Sequence, residues 1–437
     1  MRKRFSLSYE GFIKSLNKGL LRLFMSSFDY VDIKRYCDLL DAYLGDKNRI
    51  KVPSTLTELE KRMSKDYYRK VFQAQTEVMN YSSTLFPSYS FIMSEDLVDD
   101  WLATVDVHKK YARDHSLHQP MTAYIVAVLL GYGDPSKALK IPAKPNDLLS
   151  YCTDCIITSC DYLRGFAKDM GIPDHLLENT TQSFRFWMDM FYQTAILSAL
   201  FHDIGYPWQY LGRVGYSLGE SSQALQPCIA NLPLIIDRYK DRLLLLPFRK
   251  YVRYLPGQPA YVMEEMKMNI EKAMGTHGLP GGIAFIELND AIRCFPCSSL
   301  MGIVHDFSVE WASMGIIMHD MANLHKKHKC FRIDFKKDPL SSIVSIADYL
   351  EEFQRPSVSF TNRKKSSDIE YDYTCKRVNL SVNGDVLEVQ MVYNSPGQMA
   401  AANDFKKEET DIYFDPISGF IDMSSIGINS VKYLGVV

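Results

Sequence analysis

The sequence predicts a mainly α-helical protein: a helical extension, a central helical bundle and a small α+β unit, in that order. Two observations carry this. Between residues 91 and 356 the long apolar stretches repeat at helical spacing, among them YARDHSLHQPMTAYIVAVLLG (111–131), TAILSALFHDIGYPW (194–208), EWASMGIIMHDM (310–321) and SSIVSIADYLEEFQR (341–355). After RPSVSFTNRKKSSD (355–368) the period changes, and KRVNLSVNGDVLEVQMVY (376–393) alternates as paired strands do.

Taken in order, residues 1–90 read as the helical extension, on YEGFIKSLNKGLLRLFMSSF and LTELEKRMSKDYYRKVFQAQTEVMNYSSTLF, parted by the turn-prone KNRIKVPST. Residues 91–356 read as the bundle. Near 132–148 it is interrupted by GYGDPSKALKIPAKPND, whose Gly and Pro content marks a surface loop. A second insertion, about 212–262, contains the basic and aromatic IIDRYKDRLLLLPFRKYVRYLPG, expected at the rim of a site. Residues 357–437 read as the α+β unit: a hairpin turning at Asn383-Gly384-Asp385, a helix over SPGQMAAANDFKKEETDIYF and a last strand in IGINSVKYLGVV. No internal repeat or extended low-complexity segment interrupts this order.

Composition narrows the function classes. The chain has 437 residues, 46% of them hydrophobic and 23% charged, enough for a large core. With a net charge of −2 and a pI near 6.6 it offers no global basic field for nucleic acid. The basic N-terminus MRKRF lacks the apolar run and cleavage site of a signal peptide, and no stretch reaches about 18 uninterrupted apolar residues. A cytoplasmic protein with no membrane partner is expected. Nine cysteines in a chain of this length fit reduced thiols better than a disulfide framework. The pairs CTDC (152–155) and CFPC (294–297) lie too far apart for a zinc ribbon, and buried, inert thiols are expected.

The chemistry is concentrated at adjacent His202 and Asp203, which end a buried apolar helix before Gly205-Tyr206-Pro207. An imidazole and a carboxylate on neighbouring positions can reach one divalent ion, the imidazole suiting Zn, Fe, Ni or Mn and the carboxylate suiting harder ions. Partners are available on other helices. His115 and His118 open the helix at 111–131, with Pro120 read as a first-turn residue that leaves His118 at the helix mouth. His277, His319 and Asp348 follow downstream. The other candidates read more plainly: His305-Asp306 as a loop or helix start, Asp320 as a helix-surface carboxylate, and His325, His328 and Cys330 among lysines as a solvated face.

The order His, His-Asp, His, His, Asp resembles the HD metal-dependent phosphohydrolase superfamily over residues 105–356. That resemblance implies an HD-type helical bundle in which His118, with His115 as the alternative first ligand, joins His202, Asp203 and Asp348 in holding one metal ion and His277 and His319 complete a second position. Two divalent ions are expected, drawn from Mn, Fe, Ni, Co, Zn and Mg. The implied reaction is hydrolysis of a nucleotide or related phosphate ester. On that resemblance Asp203 is expected to be central to catalysis, and His115, if close, to protonate the departing oxygen.

The chain also departs from the superfamily. Many members carry Lys three residues after the HD aspartate, where this sequence has Tyr206. Lys109, Lys110, Arg113, Arg213 and Arg355 are the nearby cations that could replace it. Gly-Tyr-Pro directly after the pair is not the separate downstream motif of the cyclic-dinucleotide phosphodiesterases. A di-iron oxygenase branch uses the same ligand order, and an idle sensor or interaction protein would keep the bundle without turnover. The sequence leaves both open, with the oligomeric state.

Overall fold

In a computed structural model of the chain, residues 5–8, 11, 115–205, 237–239, 241–249, 260–273, 275–291, 300–353 and 375–437 are described. They are mostly helical, with a small sheet built mainly by the C-terminal region. The helices are α1 (His115–Leu129), α2 (Leu148–Ser159), α3 (Asp161–Asp169), α4 (Asp174–Leu177) and α5 (Thr181–Phe201), then α6 (Ala260–Ala273), α7 (Gly278–Ala291), α8 (Leu300–His319), α9 (Ala322–His328) and α10 (Pro339–Leu350). The helix α11 (Pro396–Phe414) belongs to the C-terminal unit.

Local sequence explains where several helices start. Asp147, Thr180, Asp338 and Ser395 each turn a side-chain oxygen back onto a first-turn amide, of Ser150, Ser183, Ser341 and Gln398 respectively. Pro339 and Pro396 follow two of these caps, at a position where the missing amide hydrogen has no helical partner to lose. Pro120 is placed differently from the sequence expectation. The described part of the helix already runs from His115, so the proline stands beyond a first-turn position.

The centre of the bundle is α5, buried along most of its length and packed on α1, α2, α8 and α10. Trp187 and Phe191 of α5 meet Phe307 and Trp311 of α8, with the two indoles 6.1 Å apart edge to face. Each such ring contributes roughly 1.5–3 kcal/mol by leaving water.

Two segments read as peripheral contribute to the core, the first through a few residues of a largely surface loop and the second along a whole turn. In the Gly- and Pro-rich interruption, Ala138, Leu139 and Ile141 enter the core, and the Leu139 amide donates to the Leu129 carbonyl. In the second insertion, Leu243–Arg249 forms a 3-10 helix buried throughout and packed on α8. Four consecutive leucines account for this, since their apolar area outweighs the flanking charges. Residues 212–236, 240 and 250–259 of that insertion lie outside the described residues.

The sheet has the order β1-β3-β4-β6: β1 (Phe5–Ser8), β3 (Cys375–Asn383), β4 (Val386–Tyr393) and β6 (Ser430–Val436). The antiparallel β3-β4 hairpin turns at Gly384, whose φ of +66° is the left-handed conformation that glycine adopts freely. The edge strand β6 runs parallel to β4. A second, two-residue pairing joins β2 (Ile333–Asp334) to β5 (Ile421–Asp422). Of the expected helical extension, only Phe5–Ser8 and Gly11 are described, and Phe5–Ser8 is a strand. It buries Leu7 on one face and pairs antiparallel with β3, Phe5 opposite Leu380. Among the described residues no helix is long and apolar enough to cross a membrane.

Candidate metal centre

His118, His202, Asp203, His277, His319 and Asp348 converge in the structure. Each arrives from the end of a helix. His118 lies near the start of the described part of α1, where Thr122 donates to its carbonyl. His202 and Asp203 begin the turn after α5, His277 directly precedes α7, His319 ends α8, and Asp348 lies in the last turn of α10. A helix end can aim a side chain inward without burying unsatisfied backbone along a whole strand or loop.

The ligand atoms face one another at close range. His118 Nε2 lies 3.0 Å from His202 Nε2, 3.1 Å from Asp348 Oδ1 and 3.5 Å from Asp203 Oδ2. His277 Nε2 lies 3.0 Å from His319 Nε2 and 3.1 Å from Asp203 Oδ1. His202 and His319 each place Nε2 3.5 Å from that same Asp203 oxygen. Asp203 thus turns its two oxygens to two neighbouring groups. Two compact triads result, His118-His202-Asp348 and His202-Asp203-His319.

The back of every imidazole is tied outward. His118 Nδ1 is 2.5 Å from Glu351 Oε2, His277 Nδ1 is 2.9 Å from Asp320 Oδ2, His202 Nδ1 is 2.7 Å from the Ala199 carbonyl, and His319 Nδ1 is 2.6 Å from the Ile316 carbonyl. Carboxylate and carbonyl oxygens only accept, so each Nδ1 must carry its hydrogen. In a neutral ring the Nε2 is then a bare lone pair. Two such lone pairs 3.0 Å apart, at His118 with His202 and at His277 with His319, repel unless a proton or a metal cation lies between or beside them. The fit to a divalent ion is good on this ground, because ligands about 2.0–2.2 Å from an ion and at roughly right angles stand about 3 Å apart.

The electrostatics follow from burial and from these neighbours. Burial pushes His202 down to about 3, holding it neutral. At His277 burial acts the same way but is outweighed by Asp320 and Asp203, which lift it to about 10. Burial favours the neutral acid at Asp348, yet its hydrogen bond to His118 and the surrounding imidazoles hold it far below the usual carboxylate range. Asp320 is likewise lowered by His277 against the effect of burial. Asp348 is the most open of the convergent residues, its side chain 16% exposed while His202 is sealed.

Glu351 is absent from the sequence candidates, and Asp320 is set aside there as a helix-surface carboxylate. Asp320 is no surface carboxylate: besides His277 Nδ1 it accepts the amides of His277 and Gly278 at 2.8 and 3.2 Å, capping α7. Glu351 stands three residues after Asp348, the one sequence signal that would have marked it. Gly205 lets the turn after Asp203 lie directly on the start of α7, where a Cβ would stand 1.8 Å from the His277 carbonyl oxygen.

Other expected residues sit elsewhere. His305 is inside α8, buried, with Nδ1 3.3 Å from Asp306. His325 is not on a solvated face: it is buried, and its Nε2 donates to the Ser418 carbonyl while its Nδ1 accepts the Phe331 amide. His328 is exposed. Cys152, Cys155 and Cys160 are buried free thiols, and burial pushes Cys155 up to about 11, while CFPC (294–297) lies outside the described residues. The side chain of His115, and the whole of Lys109, Lys110, Arg113, Tyr206, Arg213 and Arg355, also lie outside them.

The chain matches no protein-family model, no curated protein and no solved structure.

Proposed function

We propose that this chain is a metal-dependent phosphohydrolase or phosphodiesterase of the HD type, acting on a nucleotide or related small phosphate ester. The observation that carries the reading is the set of outward-tied imidazoles, whose Nε2 lone pairs meet Asp203 and Asp348 at one buried point. His118, His202, Asp203 and Asp348 would hold one divalent ion, and His277, His319 and the second oxygen of Asp203 would hold another. Ions bound there would make water acidic enough to ionise near neutral pH and would offset the charge of a phosphoryl group.

The chain's own residues set the conditions for that chemistry. Glu351 and Asp320, behind His118 and His277, fix the tautomers and raise the basicity of the ring nitrogens that face inward. Burial around His202 excludes bulk water from the inner wall, and the greater exposure of Asp348 favours approach of a substrate from its side. Asp203, between the two groups, couples them, so its loss should affect both.

The test begins with metal analysis of protein purified without chelator, then a screen of nucleotides and cyclic dinucleotides with Mn, Co, Ni, Fe and Mg. Asp203→Asn is expected to abolish turnover with the fold intact, and oxygen-18 from water is expected in the released phosphate or phosphomonoester, in air and without it. Turnover that needs dioxygen and draws its label from it would replace this reading with an oxygenase. A wild-type protein that takes up no metal would replace it with an idle bundle.

A further inference from the structure

The C-terminal unit meets the metal centre's helix at a buried lysine. Lys406, on α11, is 1% exposed. Its ammonium donates to the Tyr349 carbonyl at 3.0 Å, lies 2.6 Å from Glu352 Oε1, pairs with Glu409 and sits 4.6 Å from the centre of the Tyr349 ring. The neighbouring contacts point to the same segment. The Cys375 amide donates to the Glu352 carbonyl, Phe353 bridges to Cys375, and the Tyr349 hydroxyl bonds with Thr410 at 2.7 Å. All of them grip residues 349–353, the stretch that runs from beside Asp348 past Glu351.

Burying an ammonium is unfavourable by several kcal/mol, and a buried ion pair is often no more stabilising than apolar residues of the same volume. Fold stability alone is therefore a poor reason for Lys406 to be where it is. Its geometry gives a better one. The last carbonyls of a helix have no intrahelical partner, and a cation there is favourable. Lys406 occupies that position at the end of α10, on the carbonyl of Tyr349, which follows Asp348, and on the carboxylate of Glu352, which follows the residue that orients His118.

We propose that Lys406 is a positioning residue, through which the C-terminal unit holds Asp348 and Glu351 in register with His118. This rests on the metal-centre reading above. It also makes the two metal positions unequal, since His277, His319 and Asp320 belong to the turn before α7, the end of α8 and the turn after α8 and owe nothing to this clamp.

The test is cobalt titration of the full-length protein followed by calorimetry and visible absorption. Lys406→Met alone strands Glu352 without its cation and can misfold, so the informative variant is the triple Lys406→Met, Glu352→Gln, Glu409→Gln, which removes the clamp and the charges together. Val378→Ala, in the buried face of β3, serves as a control of lowered stability away from residues 349–353. The wild type is expected to bind two equivalents. In the triple variant one equivalent should weaken about tenfold or more, as losing an outer partner of a ligand does, and the other should stay unchanged. Two unchanged equivalents, or a parallel weakening of both as in a general loss of stability, would overturn the positioning role. A wild type that binds no cobalt would instead remove the metal centre itself, and Lys406's role with it.

Discussion

Gly205→Ala adds a single methyl group at the point where the turn after Asp203 rests on the start of α7. A Cβ at that position would stand 1.8 Å from the His277 carbonyl oxygen, 2.6 Å from the Gly281 amide nitrogen and 2.9 Å from the Gly281 Cα. All of these are backbone atoms, so no side chain can swing aside. Restoring even a 3.0 Å contact requires the turn and α7 to part by about 1.2 Å, more than twice the roughly 0.5 Å within which a binding constellation must be held. His277 moves with α7, away from Asp203 and His319. Overpacking of this kind destabilises by about 1–3 kcal/mol. The expected signature is therefore double: a lower unfolding midpoint in chelator, and loss of one cobalt equivalent or its weakening by about tenfold or more. Gly384→Ala, strained by its positive φ but open to solvent, separates the two effects because it should lower stability without changing cobalt uptake. A Gly205→Ala protein with wild-type stoichiometry and affinity would show that the placement of His277 does not govern metal binding.

Glu351 and His325 supply the remaining expectations. Glu351→Gln keeps an acceptor for the His118 Nδ1 hydrogen but loses its charge, whereas Glu351→Ala loses both, so cobalt affinity should fall from wild type to Gln to Ala, with Ala about 10–100-fold weaker; equal affinities in titration would mean that Glu351 does not orient His118. Burial, with smaller effects from Lys329 and Arg332, holds the His325 pKa in the folded chain below its ordinary 6.5, outweighing the bond to the Ser418 carbonyl. The unfolded chain then binds more protons than the folded one between those values, so this contribution is fully present above 6.5 and is lost as the pH falls through the folded pKa. Urea unfolding on either side of 6.5 should show a smaller loss of stability toward acid in His325→Gln than in the wild type, and parallel pH profiles would exclude the contribution.

What could be read from the sequence was what is encoded locally. The C-terminal hairpin announces itself because Asn383-Gly384-Asp385 is turn chemistry between alternating strands, and α11 because Ser395-Pro396 is a cap followed by a first-turn proline. The convergent His and Asp residues were legible because each ends or begins a helix of clear apolar period. Glu351 and Asp320 were not, since which carboxylate stands behind an imidazole depends on how distant helices cross. His118 and Glu351 are 233 residues apart. The same limit hid His325 and Leu243–Arg249: charged neighbours suggested solvent, and tertiary packing decided otherwise.

Phe5–Ser8 zips onto β3, a strand that begins at Cys375. At synthesis rates of about 5–20 residues per second, the first of these segments waits on the order of 20–70 s for the second to leave the ribosome. Throughout that interval a short strand bearing Phe5 and Leu7 has no strand to pair with, and the helices of the bundle emerge before the sheet can close. The sheet can thus close only after the helices that separate its strands in sequence have been made. A nascent chain stalled before β3 would carry an unpaired edge ready to join whatever strand it meets.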